Sequence, residues 1–300
     1  MTTFHRQLLV FWMIICWPLT AMASGFYERE ADAVRQSWKP FLPEEVVVQA
    51  FGEMEPEPVA STEYRMVVNL PARRLFLYQN DEILRTYPVA VGSNRYRTPI
   101  GPRYLQNITW NPWWYPPPYS DWAKDAKPTP PGPNNPLGPV KMSLGGDIFL
   151  HATNKDYTVG TPASHGCMRM HRKDALELAW FFQTRLSDQS DDALRAKYKA
   201  YPTSSFYVPL NQKIPVDIIY DLVRVSDEEL EVHPDIYGHG GDLKQEVISR
   251  LHEVGIPPWD VDASKIEELK RIPGSFTVAI ADIISSGYGV EPSPPSSVQE

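Results

Sequence analysis

A mainly β (α+β) fold is predicted by three features of the 300-residue sequence. Short apolar runs bounded by Asn, Asp, Gly and Pro follow one another from Tyr64 to Leu150. A helix-period segment, Asp174 to Arg185, comes directly after a Ser-His-Gly-Cys turn. The last 75 residues then read as a small helical C-terminal appendage. Composition agrees with a folded chain, at 42% apolar and 22% charged, and the net charge of −8 argues against a nucleic-acid binder. Proline is the outlier, 30 residues where ordinary usage is about 5%.

The elements are justified in chain order. Residues 1–23 carry Arg6 and no acid, then an apolar run from Leu8 ending in Ala21-Met22-Ala23. This predicts a secretory signal cleaved after Ala23. The run is shorter than the ~20 residues a spanning helix needs, so no stable membrane span is expected after cleavage. Ile15 before Cys16 is too bulky for a lipoprotein signal. Cleavage takes Arg6 and Cys16 away, leaving 28 basic and 37 acidic residues, net −9, and one cysteine, Cys167. A lone thiol in an exported protein has no internal disulfide partner and reads as either a reactive group or an intermolecular link.

Residues 24–62 are acidic and Pro-bearing, a lead-in or linker, and the catalytic unit is expected over 63–226. Its strands are Met66–Leu70, Leu75–Tyr78, Ile83–Val91 and Tyr104–Ile108, with a Thr98-Pro99-Ile100-Gly101 turn before the last. Residues 110–139 hold ten prolines and four of the nine tryptophans (Trp110, Trp113, Trp114, Trp122). Proline excludes a helix or central strand there. So many indoles favour an ordered lid or groove wall at the site, or a loop folded onto the core. Strands resume at Val140–Ser143 and Ile148–Leu150. The Asp174–Arg185 helix follows, then a second over Ser187–Tyr198 capped by Ser187 or Asp188, and a strand over Val216–Val225. In the extension at 227–290, Asp242 or a neighbour is expected to cap a helix through Leu251, and Ser264-x-x-Glu267 fits a capping box. The Pro/Ser-rich tail at 291–300 is expected to be disordered.

Chemistry concentrates in His151-Ala152-Thr153 and Ser164-His165-Gly166-Cys167-Met168-Arg169-Met170. A strand end delivers His151, and a Gly-containing turn 16 positions on delivers Cys167. A thiolate is the reactive form of cysteine, and a nearby imidazolium would lower its pKa. Gly166 allows close backbone approach, so the N–H groups of Gly166 and Cys167 are candidates for holding an oxyanion. Arg169 could clamp a substrate carboxylate. Metal binding by His151, His165, Cys167 and His171 competes on bare chemistry, but no ligand spacing supports it.

The His-x-Thr motif, the 16-residue step and Ser-His-Gly-Cys-Met-Arg-Met together resemble the L,D-transpeptidase (YkuD-type) catalytic domain, in its proteobacterial envelope branch. Tyr87–Gly92 with Thr98-Pro99-x-Gly101, and Pro131–Gly138, are similar to further blocks of that family. The resemblance implies a β-sandwich with Cys167 as nucleophile and His151 as proton donor and acceptor, oriented by the carbonyl of Ala152. His165 and Gly166 would form the oxyanion side. Arg169, Ser164, Thr153, Trp113 and Trp114 would contact substrate. No metal or cofactor is implied. Ala152 stands where relatives near this branch have Gly, residues 184–212 are a longer link than expected, and no LysM-like repeat is evident.

The implied reaction is acyl transfer on peptidoglycan stem tetrapeptides in the periplasm, with release of D-Ala. The acyl group would pass to a diaminopimelate amine, giving a 3–3 crosslink, or to an envelope lipoprotein, or to water. A hydrolase using the same acyl-enzyme and a non-catalytic wall-binding module are the rival readings.

Overall fold

A computed structural model describes residues 63–285 apart from 119 and 227. The expected signal, the lead-in and the tail at 291–300 lie outside these residues. Nine strands form one sheet: β1 (Tyr64–Asn69), β2 (Arg74–Gln79), β3 (Glu82–Gly92), β4 (Gly101–Trp110), β5 (Val140–Ser143), β6 (Phe149–Ala152), β7 (Pro162–Ser164), β8 (Met168–Met170) and β9 (Phe206–Ile219). Their order is β2-β1-β9-β4-β5-β6-β8-β3-β7, and β2 also pairs with β3. That last pairing closes the sheet on itself. The 11-residue β3 makes closure possible, because its first half pairs with β2 and its second with β8 and β7.

Alternation along the strands puts one side of the ring inside. Met66, Val68, Leu75, Leu77, Val89, Val91, Leu105, Ile108, Met142, Leu150, Met168 and Met170 are fully buried there. Helix α1 (Arg172–Leu186) packs Ala175, Leu178, Ala179 and Phe182 into the same core. It begins two residues earlier than the sequence predicts, and its last turn is held by Gln183. That buried amide accepts from Trp110 Nε1 at 2.6 Å and donates to the Tyr198 hydroxyl at 3.0 Å. Helix α2 (Asp192–Ala200) starts later than expected. Its cap is Asp191, whose carboxylate accepts from the Ala193 amide, rather than Ser187 or Asp188.

The strand expected over Val216–Val225 is two elements. β9 ends at Ile219, and β10 (Val223–Ser226) enters a separate antiparallel sheet with β11 (Glu229–Val232) and β12 (Phe276–Ala279). The C-terminal appendage thus has its helices, α3 (Leu243–Glu253) and α4 (Ala263–Leu269), plus two strands, β11 and β12, that periodicity did not reveal. Val223, Leu230, Val232, Val247, Leu251 and Ile266 make its own small core. Asp242 caps α3 as predicted, while α4 is capped by Asp262 in place of the Ser264 capping box.

Candidate active site

The turn before β8 is held from both sides. Gly166 has φ +112°, open to glycine and strained for any other residue. Its N–H donates to Ser164 Oγ at 3.1 Å, and its carbonyl accepts from Thr98 Oγ1 at 2.9 Å. Ser164 Oγ in turn donates to the Cys167 carbonyl at 2.5 Å. Ser164 is therefore a staple of the turn. The Gly166 amide, expected to face an oxyanion, is already engaged; the Cys167 amide is the one this turn leaves to do so.

His151 is buried on β6, and its Nδ1 lies 2.5 Å from the Ala152 carbonyl. A carbonyl only accepts, so Nδ1 carries the proton and Nε2 presents its lone pair. Burial lowers the imidazole pKa from 6.5 to about 4, helped by the cations Arg169 and Lys141. Ala152 itself sits under Gly138, where a Cβ would approach the Ala152 Cβ to 2.8 Å. The Pro/Gly loop thus covers the residue that aims His151.

Cys167 Sγ donates to the Asp147 carbonyl at 3.3 Å. Burial pushes the thiol up to about 11, and Arg169 and Lys141 act against that rise. Burial thus acts on both groups in the sense opposite to the lowering that an imidazolium would give the thiol. Arg169 and His151 are register partners on β8 and β6, and Lys141 on β5 pairs with His151 from the other side. The three therefore share one sheet face. Lys141 was missed in the sequence, although a lone charge between Val140 and Met142 in an apolar strand marks it. Its Nζ lies 4.5 Å from the centre of the Phe149 ring.

The aromatic loop reaches this turn through Trp122, stacked on His165 with ring centroids 4.0 Å apart. Tyr96 packs against His165 at 4.8 Å and against Trp122 at 6.5 Å, and its hydroxyl donates to Asp121 at 3.1 Å. Trp114 sits behind Trp122 at 6.3 Å, and Trp113 stacks on the exposed Tyr115. The structure thus brings Trp122 to the turn in place of the two nominated tryptophans. Asn135 keeps the loop ordered, its amide donating to the carbonyls of Pro112, Thr129 and Pro130. Thr153 Oγ1 accepts from the Lys155 amide, another local staple. His171 turns away toward Asp156, and among the described residues no three His, Cys, Asp or Glu side chains converge as a metal site.

Residues 63–186 match the family model described as YkuD, the L,D-transpeptidase catalytic domain. The chain is 34% identical over 117 residues to a Bacillus licheniformis protein named "Putative L,D-transpeptidase YkuD", covering 39% of this chain and 58% of that protein. It is 29% identical over 119 residues to "Probable L,D-transpeptidase ErfK/SrfK" of Escherichia coli K12, covering 36% of this chain and 38% of the other. The matches thus span well under two thirds of these relatives' lengths. A solved L,D-transpeptidase from Mycobacterium smegmatis aligns over 52% of this chain and 58% of its own at 15% identity, with a TM-score of 0.34. The segment that carries His151, Cys167 and Arg169 is thus the part of the chain that matches the L,D-transpeptidase (YkuD) catalytic-domain model.

Proposed function

We propose that the protein is an exported, periplasmic L,D-transpeptidase acting on peptidoglycan stem tetrapeptides through a Cys167 acyl-enzyme. The observation that carries this reading is the pairing of β6 with β8, which sets His151, its Nδ1 tied to the Ala152 carbonyl, opposite Arg169, two residues after the half-buried Cys167 thiol. A thiol that rests protonated needs a base at the moment of attack, and Nε2 of His151 is free to be one.

Cys167 Sγ attacks the carbonyl of the diaminopimelate residue as His151 Nε2 takes the thiol proton. The tetrahedral oxyanion meets the Cys167 N–H, and Lys141 and Arg169 supply positive charge beside it. His151 then returns the proton to the leaving amine, releasing D-Ala and a thioester. The incoming amine loses its proton to the same nitrogen as it displaces sulfur. Arg169 is suited to a carboxylate of the donor stem. Trp122 and Tyr96 screen the turn from water, which favours an amine acceptor over hydrolysis. No step calls for a metal or cofactor.

The test is incubation of the purified protein with muropeptide tetrapeptides and mass analysis of products. Release of D-Ala with crosslinked dimers or protein adducts supports the reading. Free tripeptide as the sole product would make it a hydrolase, and D-Ala release surviving Cys167→Ala would end it.

A further inference from the structure

Tyr237 belongs to the appendage, yet its side chain lies fully buried in the core of the catalytic unit. Its hydroxyl donates to the Gly92 carbonyl at 2.8 Å and accepts from the Thr98 amide at 3.2 Å. It therefore bridges the two ends of the turn that leaves β3. That turn is tight: a Cβ on Gly92 would lie 2.2 Å from the Tyr96 carbonyl oxygen and 2.5 Å from the Thr98 nitrogen. Within it the Gly92 amide donates to Thr98 Oγ1 at 2.8 Å, and that hydroxyl spends its proton on the Gly166 carbonyl. One chain of hydrogen bonds thus runs from Tyr237 to the residue before Cys167.

The far end of the chain is also fixed. The Tyr237 amide donates to the Tyr220 hydroxyl at 2.7 Å, and that hydroxyl donates to Asp235. Arg97 Nη2 donates to the Tyr237 carbonyl at 2.6 Å. Every polar atom of Tyr237 is therefore used, and its ring stacks on Tyr220. A side chain needed for packing alone would fill the same space as phenylalanine. The hydroxyl is specific to the two groups that set the Thr98 position.

We propose that Tyr237 is a positioning residue for the catalytic turn: it locks Gly92 and Thr98 so that Thr98 Oγ1 holds Gly166, and with it the Cys167 amide, in place. This deepens the L,D-transpeptidase reading and rests on it. It also gives the appendage a role, since the appendage delivers Tyr237 to the site from 139 residues beyond Thr98 in sequence.

The experiment compares Tyr237→Phe, Thr98→Val, their double variant and Thr98→Ser in the full chain, measuring D-Ala release and the pH profile of Cys167 alkylation by iodoacetamide. Tyr237→Phe is expected to lower kcat about 10-fold with KM unchanged, short of the ~100-fold that an ångström of misplacement costs. Thr98→Val should do the same, the double variant should be no worse than either, and Thr98→Ser should restore the rate. Loosening the turn admits water, so the alkylation midpoint in Tyr237→Phe should move down toward an ordinary thiol. A lowered melting temperature with kcat unchanged, or losses that multiply in the double variant, would overturn the proposal. If Tyr237→Phe does not fold, the contrast between Thr98→Val and Thr98→Ser decides. If the wild-type chain releases no D-Ala, the functional reading fails by itself. The alkylation profile then judges the positioning role, a shift supporting it and an unchanged midpoint overturning it.

Discussion

The indole of Trp122 lies flat over the imidazole of His165, with ring centroids 4.0 Å apart and planes within 18°. His165 stands two residues before Cys167, so this stack ties the proline-rich loop to the catalytic turn. Asp121, beside Trp122, is held by Arg95 at 2.7 Å, which fixes the loop from its outer side. Trp122→Ala removes the cover and keeps the thiol. The expected result is a larger share of free tripeptide among the products, read by mass, as water reaches the acyl-enzyme. An unchanged ratio of dimer to tripeptide would remove the loop's screening role.

His151→Gln keeps a polar side chain at the Ala152 carbonyl and removes the base. D-Ala release should fall about 10²–10⁴-fold, the usual worth of a positioned general base. Iodoacetamide should still label Cys167 at alkaline pH, which separates loss of proton transfer from loss of the nucleophile.

Lys141 should matter for a different reason. Its charge acts on the thiol from β5, across β6 from β8, and opposes the rise that burial causes. Lys141→Met should therefore move the alkylation midpoint of Cys167 further up and slow D-Ala release at neutral pH. A midpoint that stays in place or falls would show that the ammonium does not act on the sulfur.

Acid should destabilise the fold through two histidines. Burial lowers both His151 and His233 from 6.5 to about 4. Unfolding lets each bind a proton between those values, so their contribution is full above about 6.5 and is lost as pH falls through about 4. His233 stands between β11 and the catalytic sheet, with Arg73, Arg74, Arg224 and Glu231 around it, and neither ring nitrogen has a partner. His233→Phe should flatten the fall in melting temperature between pH 6.5 and 4, and an equally steep fall would assign the effect elsewhere.

Asp191→Ala tests the local account of α2. The carboxylate accepts from the Ala193 amide at 2.8 Å, and losing such a cap costs about 1 kcal/mol. Denaturant unfolding should show that loss with D-Ala release unaltered, since Tyr198 ties α2 to Gln183 and Asn111.

Much of the site was legible because its parts are local. Gly166 needs a positive φ, His151 is the next-to-last residue of β6 and Cys167 immediately precedes β8, and each sits within a short motif. The capping errors have a local cause as well. Ser187, Asp188 and Asp191 all suit a helix start, and only the turn after α1 selects Asp191. The appendage strands β11 and β12 escaped because four-residue elements carry too little alternation to be told from loops.

The sequence by itself determined the mainly β class, the helix after the catalytic turn, and the residues that can do chemistry, since these follow from periodicity and side-chain type. Only the tertiary structure decided their states and their company. Desolvation pushes the thiol up and the imidazole down, against the lowering an imidazolium would give the thiol, because burial is set by the whole packed sheet. Strand register placed Lys141 beside His151, loop closure chose Trp122 over Trp113, and a hydroxyl 139 residues beyond Thr98 came to anchor the turn. Such pairings depend on which distant backbone meets which, and neither spacing nor composition encodes that locally.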